Sequence, residues 1–236
     1  LAESGQHYRR IFLADGDAMS LSFRRLESIM ALILRYLPDT QRVSSYCLPR
    51  NLLNKTSAQL TQLNTMGLSL MYVGCETGDN VLLEKINKGE TFESSLAALN
   101  SIRDAGMKSS VMILNGLGGS RYSEQHATHS AQLMNQAQPD YLATLVVSFY
   151  QGDERFQQAF GGDFVALQPA QLFSEMRLLL QQLELHKTIF RSDHASNYLV
   201  LKGVLGRDKE KLLNQVEQAI QQHPSIRLRE DWQRSL

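Results

Sequence analysis

The sequence predicts an α/β protein built on a parallel sheet, and three observations support this. Short apolar runs alternate with longer stretches in which apolar residues recur three and four positions apart, the spacing of amphipathic helices. A dozen residues or more connect one apolar run to the next, as parallel neighbours require. The short runs are apolar nearly throughout, which is typical of strands covered on both faces.

Five strands and four helices are predicted in the first two-thirds of the chain. The apolar runs place strands at residues 10–14, 43–47, 70–74, 110–114 and 141–148. The amphipathic stretches place helices at residues 21–36, 56–66, 91–105 and 123–137. Leu37-Pro38 and Asp104-Ala-Gly106 are typical helix stops. Two architectures share this pattern, an open doubly wound sheet and a barrel with an outer ring of helices.

The character of the sequence changes after residue 150. Gly161-Gly162 separates a short helix from a long one at residues 169–186, and a polar segment at 188–198 and a last helix at 207–222 follow. The sequence contains no repeat and no linker long enough to mark an independent domain. We therefore predict a core at residues 1–150 and an extension at 151–236 that packs on it.

Composition limits the partners and the compartment. The chain has 236 residues with 24 Lys and Arg and 24 Asp and Glu, so no net charge attracts nucleic acid. The two cysteines, Cys47 and Cys75, lie far apart and indicate a reducing compartment rather than a disulfide framework. No apolar run approaches the roughly 20 residues of a membrane helix, and the amino terminus lacks a signal-peptide layout. We expect a cytoplasmic protein with no nucleic-acid or membrane partner and an unknown oligomeric state.

The most informative stretch follows the third predicted strand. It runs Tyr72-Val-Gly-Cys-Glu-Thr-Gly-Asp79 and continues as Leu82-Leu-Glu-Lys-Ile-Asn-Lys-Gly-Glu-Thr91. A strand that ends on a carboxylate and enters a glycine-containing turn and a helix is where α/β proteins commonly bind ligands. This stretch is therefore the first candidate for a binding site.

The same stretch resembles the fourth-strand segment of radical S-adenosylmethionine (radical SAM) enzymes of the coproporphyrinogen-oxidase and methylthiotransferase type. That segment commonly has Gly-hydrophobic-Glu-Ser-Gly-Ser/Asp followed by Ile-Asn-Lys/Arg-Gly. The resemblance covers residues 11–150 and implies an incomplete parallel (β/α) barrel, to which this chain gives the second to sixth strands. Residues 1–150 would then be a partial radical SAM barrel, and residues 151–236 its final helix and a helical carboxy-terminal extension.

The resemblance also implies cofactors. Radical SAM enzymes hold a [4Fe-4S] cluster on a Cys-x3-Cys-x2-Cys loop, and this chain has no such loop. We expect a carboxy-terminal part of an iron-sulfur oxidoreductase that is inactive by itself. The longer protein would bind S-adenosylmethionine and the cluster, generate a 5'-deoxyadenosyl radical and act on an unknown substrate.

Two groups of residues after the predicted strands are implied in cofactor binding. Asp15, Gly16 and Asp17 stand where the family has a Gly-Gly-Glu-like motif for the methionyl ammonium, and a carboxylate suits that charge. Glu76 would contact polar atoms of the cofactor. Lys88 stands where relatives place a basic residue near the methionyl carboxylate, a task that suits its point charge.

Two further pairs complete the expected site. Ser44 and Tyr46 share one face of their strand by alternation, and we expect both to point into the barrel. Asn115 and Gly116 lie in a run similar to the family's glycine-containing fifth-strand segment, whose glycines let adenine approach the backbone. We expect no metal ligands and name no catalytic residue.

Two other function classes remain open. Asp15-Gly16-Asp17 also resembles the Asp-x-Asp motif of haloacid-dehalogenase phosphotransferases and of metal-dependent glycosyltransferases, although Met19 stands where the first family needs threonine. The alternative from another class is a barrel-like module that binds a ligand or a partner protein without catalysis. His126 and His129, three apart on a predicted helix, are interpreted as a surface pair because no third metal ligand accompanies them.

Overall fold

The computed structural model describes residues 7–149 and 152–234, and within them a mostly parallel α/β fold. The strands are β1 (Arg10–Leu13), β2 (Arg42–Cys47), β3 (Leu68–Glu76), β4 (Lys108–Asn115), β5 (Tyr141–Val146), β6 (Ile189–Ser192) and β7 (Leu201–Val204). The helices are α1 (Phe23–Tyr36), α2 (Pro49–Leu53), α3 (Ser57–Thr65), α4 (Asn80–Lys85), α5 (Phe92–Asp104), α6 (Gly119–Ala137), α7 (Glu154–Ala159), α8 (Pro169–Gln182) and α9 (Leu205–Ile220). Short 3-10 helices span Ala18–Ser20 and Asp231–Gln233.

The strands follow one another across the sheet in chain order. β1 pairs with β2, β2 with β3, and β5 with β6, all in parallel, whereas β7 is antiparallel to β6. The α/β class and the parallel sheet predicted from the sequence are confirmed. Parallel pairing puts the carboxyl ends of neighbouring strands on one edge, and in this fold class that edge carries ligands.

Two strands were missed because they are short and lie in or beside the polar segment at 188–198. In β6, Phe190 and Ser192 are buried while Arg191 between them is exposed. β7 pairs with β6 from Ser192↔Leu201 to Ile189↔Val204. Four residues give too little alternation to distinguish a strand from a loop.

The chain divides into two compact units. Unit 1 comprises Leu1–Cys75 and Glu93–Val111, and unit 2 comprises Glu76–Phe92 and Met112–Leu236. In unit 1, α1 contacts α3; in unit 2, α8 contacts both α6 and α9. The predicted boundary at residue 150 stays a prediction.

Local sequence signals explain where several helices begin and end. Thr56 and Gln59 form a capping box at the start of α3, and Asp79 caps α4 by accepting a hydrogen bond from the Leu82 amide. α5 ends at Asp104 and Gly106 follows with φ 73°, as the predicted helix stop requires. Among the described residues, no helix is both long and apolar enough to span a bilayer.

Candidate functional site

In unit 1, a sharp turn follows β1. Asp15 and Gly16 have φ angles of 63° and 109°, and Asp17 caps the short helix Ala18–Ser20 by accepting a hydrogen bond from the Met19 amide (2.8 Å). Glycine tolerates a left-handed conformation, whereas an aspartate there is strained. The turn therefore holds the predicted Asp15-Gly16-Asp17 group in one fixed conformation.

The Asp17 carboxylate also binds the turn after β2. One of its oxygens accepts hydrogen bonds from the Leu48 amide (2.6 Å) and from the side chain of Asn51 (2.7 Å). With the Met19 amide, three donors use three of the roughly four lone-pair positions of a carboxylate. Lys55 lies nearby, and its ammonium donates hydrogen bonds to the backbone carbonyl oxygens of Met19 and Asn51. Burial lowers the pKa of Lys55, and the charge of Asp17 partly offsets this. Asp17 thus closes turns within unit 1 and keeps about one acceptor position for a ligand.

Ser44 and Tyr46, both on β2, lie beside an aromatic cluster of unit 1 that the sequence analysis missed. Ser44 is buried and pairs in register with Phe12, whereas Tyr46 is 48% exposed and pairs with Tyr72. The Tyr46 ring centroid lies 4.8 Å from that of Phe12 and 6.0 Å from that of Tyr72. Partly exposed aromatic rings of this kind can stack on a planar ligand. The sequence could have predicted this cluster, because each of three consecutive strands carries an aromatic residue.

The two cysteines of unit 1 do not fit an iron-sulfur cluster. Cys47 and Cys75 are both free and buried. Burial, reinforced by the nearby Asp17 and then Cys75, raises the pKa of the Cys47 thiol well above its ordinary value, whereas cluster ligands are thiolates. The described residues contain no group of three His, Cys, Asp or Glu side chains placed to hold a metal ion. We derive no step through a cluster on this chain.

In unit 2, a carboxylate and an ammonium lie side by side at the end of β3. Glu76 has a left-handed backbone with φ 63°, and its Oε1 accepts a hydrogen bond from Lys88 Nζ at 2.8 Å. The side chains of Lys88 and Glu76 are 17% and 20% exposed, so the pair is partly shielded but reaches solvent. A strained backbone at a strand end is a feature of functional sites. The pair presents one negative and one positive group to a ligand.

The turn after Glu76 is packed tightly against α6. A side chain at Gly78 would overlap the backbone carbonyl of His129, so glycine is required there. The Gly78 amide donates to Ser130 Oγ (3.0 Å), and the buried Asp79 carboxylate accepts hydrogen bonds from Gln125 (3.0 Å) and His129 (2.5 Å). These contacts fix the direction in which Glu76 leaves the strand.

Asn115 is the last residue of β4, and Gly116 follows it in unit 2. Asn115 is buried, its carbonyl accepts a hydrogen bond from the Val147 amide (2.9 Å), and its side chain lines a cavity of about 20 Å³. Gly116 has φ 82° and its amide donates to Glu175 Oε1 at 2.6 Å. A Cβ at Gly116 would lie 2.9 Å from the end of the Leu172 side chain, which can shift, so the positive φ rather than packing favours glycine here.

The interpretation of His126 and His129 as a surface pair is wrong. His126 is 1% exposed and its Nδ1 lies 2.8 Å from Thr77 Oγ1, whereas His129 is partly exposed and bonded to Asp79. Glu175, a buried carboxylate in the apolar part of α8, was not predicted from the sequence. Its signal was an acidic residue among apolar neighbours on a helix, a position that globular proteins fill with charge only when it is bonded.

A larger cavity of about 850 Å³ lies beside α4 in unit 2. Its walls include Lys85 and Arg155 as cationic groups and Phe149 and Phe156 as aromatic ones. The Lys85 ammonium lies 5.1 Å from the ring centroid of Phe160, within cation–π distance. Ligand cavities in proteins are commonly of this size and mixed lining.

Comparisons with known proteins give one sequence relative and several structures of the same fold. No protein-family model matches the chain. Over 132 residues it is 26% identical to the heme chaperone HemW of Bacillus subtilis (strain 168), a match that covers 55% of this chain and 34% of HemW.

Two solved structures share the fold. Coproporphyrinogen III oxidase (HemN) from Escherichia coli, described as a radical SAM enzyme, matches with a TM-score of 0.59 and 18% identity over 75% of this chain and 41% of HemN. Elp3 from the archaeon Methanocaldococcus infernus matches with a TM-score of 0.60 and 14% identity over 87% of this chain and 53% of Elp3. The chain therefore spans about half or less of each relative. The predicted incomplete barrel of this type is confirmed as the fold.

Proposed function

We propose that this chain belongs to the radical SAM superfamily and binds S-adenosylmethionine as part of a radical SAM enzyme. The observation that carries the proposal is the Glu76–Lys88 pair at the end of β3. The methionyl end of S-adenosylmethionine is a zwitterion with one ammonium and one carboxylate. A protein carboxylate beside a protein ammonium is complementary to both charges.

The chemistry of the pair explains how it would exchange partners. Without ligand, Glu76 and Lys88 satisfy each other at 2.8 Å, so neither charge is left unpaired in a partly shielded site. With ligand, Glu76 would accept from the methionyl ammonium and Lys88 would donate to the methionyl carboxylate. Hydrogen bonds between charged groups are about twice as strong as neutral ones. The ligand would then satisfy the charges of both side chains.

The other predicted residues stay proposals of different weight. Asp17 has about one acceptor position left for an ammonium, and Asp15 and Gly16 would support it through the turn. Tyr46 offers an exposed ring for stacking, with the buried Ser44 on the same strand. Asn115 would meet the adenosine through a polar side chain at the end of β4, with Gly116 beside it.

The activity of the whole enzyme is also part of the proposal. When bound, S-adenosylmethionine together with a [4Fe-4S] cluster would supply radical hydrogen abstraction, and this chain's residues would bind and orient the cofactor and exclude water. The substrate is unknown. Buried free cysteines suit a reducing compartment, and we place the protein in the cytoplasm.

Titration calorimetry with S-adenosylmethionine tests the proposal. We expect Glu76→Gln and Lys88→Gln each to weaken the affinity about tenfold or more, since a lost charged hydrogen bond costs about 1.5–3 kcal/mol. Glu84→Gln and Lys187→Gln, on exposed residues of unit 2, are matched controls and should bind as the wild type does. No heat of binding in the wild type, or equal affinities in all five proteins, would overturn the proposal.

A further inference from the structure

Two sets of hydrogen bonds, each made with a side chain of α6, reach two turns of unit 2. Together we call them the polar bridge, which we define as Thr77, Ser123, His126 and Glu175. Thr77 belongs to the turn that follows Glu76, Ser123 and His126 lie on α6, and Glu175 lies on α8. The bridge reaches the turn after β3 at one end and the turn after β4 at the other.

At the first end, the bridge holds the residues after Glu76. The Asp79 amide donates to Thr77 Oγ1 (3.0 Å), and Thr77 Oγ1 lies 2.8 Å from His126 Nδ1. The backbone of Leu114 on β4 partly offsets the effect of burial on the pKa of the imidazole. Burial lowers the pKa of His126, so the ring is neutral at pH 7 and shares one hydrogen bond with the Thr77 hydroxyl.

At the second end, Glu175 holds the residue after Asn115. Its Oε1 accepts from the Gly116 amide (2.6 Å) and its Oε2 accepts from the Ser123 hydroxyl (2.5 Å). His126 Nε2 lies 3.9 Å from the same Oε1, too far for a hydrogen bond, so the two ends are connected through α6, which carries both His126 and Ser123. Glu175 is 4% exposed, so it remains in this environment because these donors compensate for the lost water.

We propose that His126 and Glu175 are positioning residues that fix the turn carrying Glu76 and the turn carrying Asn115–Gly116 at one separation. This inference rests on the proposed function, because the two turns carry residues assigned to S-adenosylmethionine. A buried carboxylate and a buried imidazole are costly replacements for an apolar contact, and their hydrogen bonds specify one geometry where apolar packing tolerates several. Neither residue is assigned a contact with the cofactor.

If the bridge couples the two turns, a substitution at one turn should change amide hydrogen exchange at the other turn as well. Ordinary local packing predicts a change only beside the substitution. Thr77→Val removes the hydroxyl at nearly constant shape, and Glu175→Leu removes both acceptors. We expect Thr77→Val to speed amide hydrogen exchange not only at Asp79 but also at Gly116, by about tenfold at each. Glu175→Leu should do the same at Gly116 and at Asp79. Affinity for S-adenosylmethionine should fall about tenfold in both variants.

Conservative variants and a stability control complete the experiment. Thr77→Ser keeps the hydroxyl and Glu175→Gln keeps an acceptor for Gly116, so both should retain slow exchange and near wild-type affinity. Leu133→Ala, in the buried face of α6 outside the bridge, should lower the melting temperature but change the affinity less than twofold. If Glu175→Leu does not fold, Thr77→Val still tests the crossed effect at Gly116.

The outcomes distinguish the inference from the proposed function. Exchange that changes only beside each substitution would overturn the inference, because the two turns would then be held independently. An affinity loss in Leu133→Ala equal to that in Thr77→Val would overturn it as well. If the variants show faster exchange at both turns but the wild type does not bind S-adenosylmethionine, the proposed function is overturned and the bridge between the turns stands.

Discussion

Two turns of this chain carry a carboxylate after a strand, and the structure uses them differently. After β1, Asp17 of unit 1 accepts three hydrogen bonds from the protein itself. After β3, Glu76 of unit 2 lies against the ammonium of Lys88 in a partly exposed position. A strand followed by a carboxylate and a glycine therefore predicts a turn. If hydrogen-bond donors elsewhere in the unit reach the carboxylate, it stabilises the turn. If few donors reach it, its charge stays available to a ligand.

The glycines of the two turns should give the largest contrast. Gly78→Ala would force a Cβ into the carbonyl of His129, a backbone atom that cannot move away, and we expect a loss of about 3 kcal/mol or more in unfolding free energy. Gly16→Ala has no heavy atom within 4 Å of the new Cβ and should lose only the roughly 1–2 kcal/mol of a positive φ. Urea unfolding of both variants measures the difference, and equal losses would contradict the packing described for the turn after β3.

The carboxylates themselves should differ in the same experiment. Asp17→Ala leaves the Leu48 amide and the Asn51 side chain without their acceptor, so we expect a loss of about 2–4 kcal/mol in the unfolding free energy. Glu76→Ala breaks one ion pair that reaches solvent and should lose less than about 1 kcal/mol. A larger loss for Glu76→Ala than for Asp17→Ala would mean that the two turns have been assigned the wrong roles.

The third prediction concerns how the stability of the protein depends on pH. Burial lowers the pKa of His126 in unit 2 below 6.5, and the carboxylates that face it, Glu175 on α8 and Asp79 after β3, only partly offset this. The unfolded chain then binds a proton that the folded chain does not. Stability is therefore complete above about pH 6.5 and falls as the pH decreases towards the folded pKa, by at most about 1.4 kcal/mol per pH unit for this group.

Unfolding free energies between pH 7.5 and 5 test the sign of this effect. We expect the wild type to lose stability over that range, and His126→Gln to have a lower starting stability but a flatter profile. The same steepness in both proteins would show that His126 does not account for the acid sensitivity.

The smallest expected effect on stability concerns the backbone of Glu76. Glu76→Gly relieves a left-handed conformation but also loses the ion pair with Lys88, so we expect the unfolding free energy to change by less than about 1 kcal/mol while binding of S-adenosylmethionine weakens. Gln222→Gly, at the end of α9 with φ 53°, is a matched control that should gain stability without a change in binding. If Glu76→Gly kept full affinity, the strain at the end of β3 would have no link to the ligand.

The sequence predicted the core of the fold well because its signals are local. The five apolar runs became β1 to β5, and the stops at Leu37-Pro38 and Asp104-Ala-Gly106 ended α1 and α5 close to their predicted positions. β6 and β7 were not predicted, since four-residue strands have too little periodicity. Local signals fail where pairing with a distant strand determines the structure.

The site was only partly predictable for the same reason. Glu76 and Lys88 are twelve positions apart in one motif, and the structure brings them together. The bond from Gly116 to Glu175 spans 59 positions, and the one from Thr77 to His126 spans 49, so no short motif contains either pair. Buried partners of this kind follow from how α6 and α8 pack.

The most direct test of the central claim compares two ligands on the wild-type chain by titration calorimetry. S-adenosylmethionine has the methionyl zwitterion and 5'-methylthioadenosine lacks it, so the difference in their affinities measures the contribution of that end. We predict that the wild type prefers S-adenosylmethionine by more than about tenfold and that Glu76→Gln and Lys88→Gln lose most of the preference. Equal affinity of the wild type for the two ligands would contradict the assignment of the Glu76–Lys88 pair to the methionyl group.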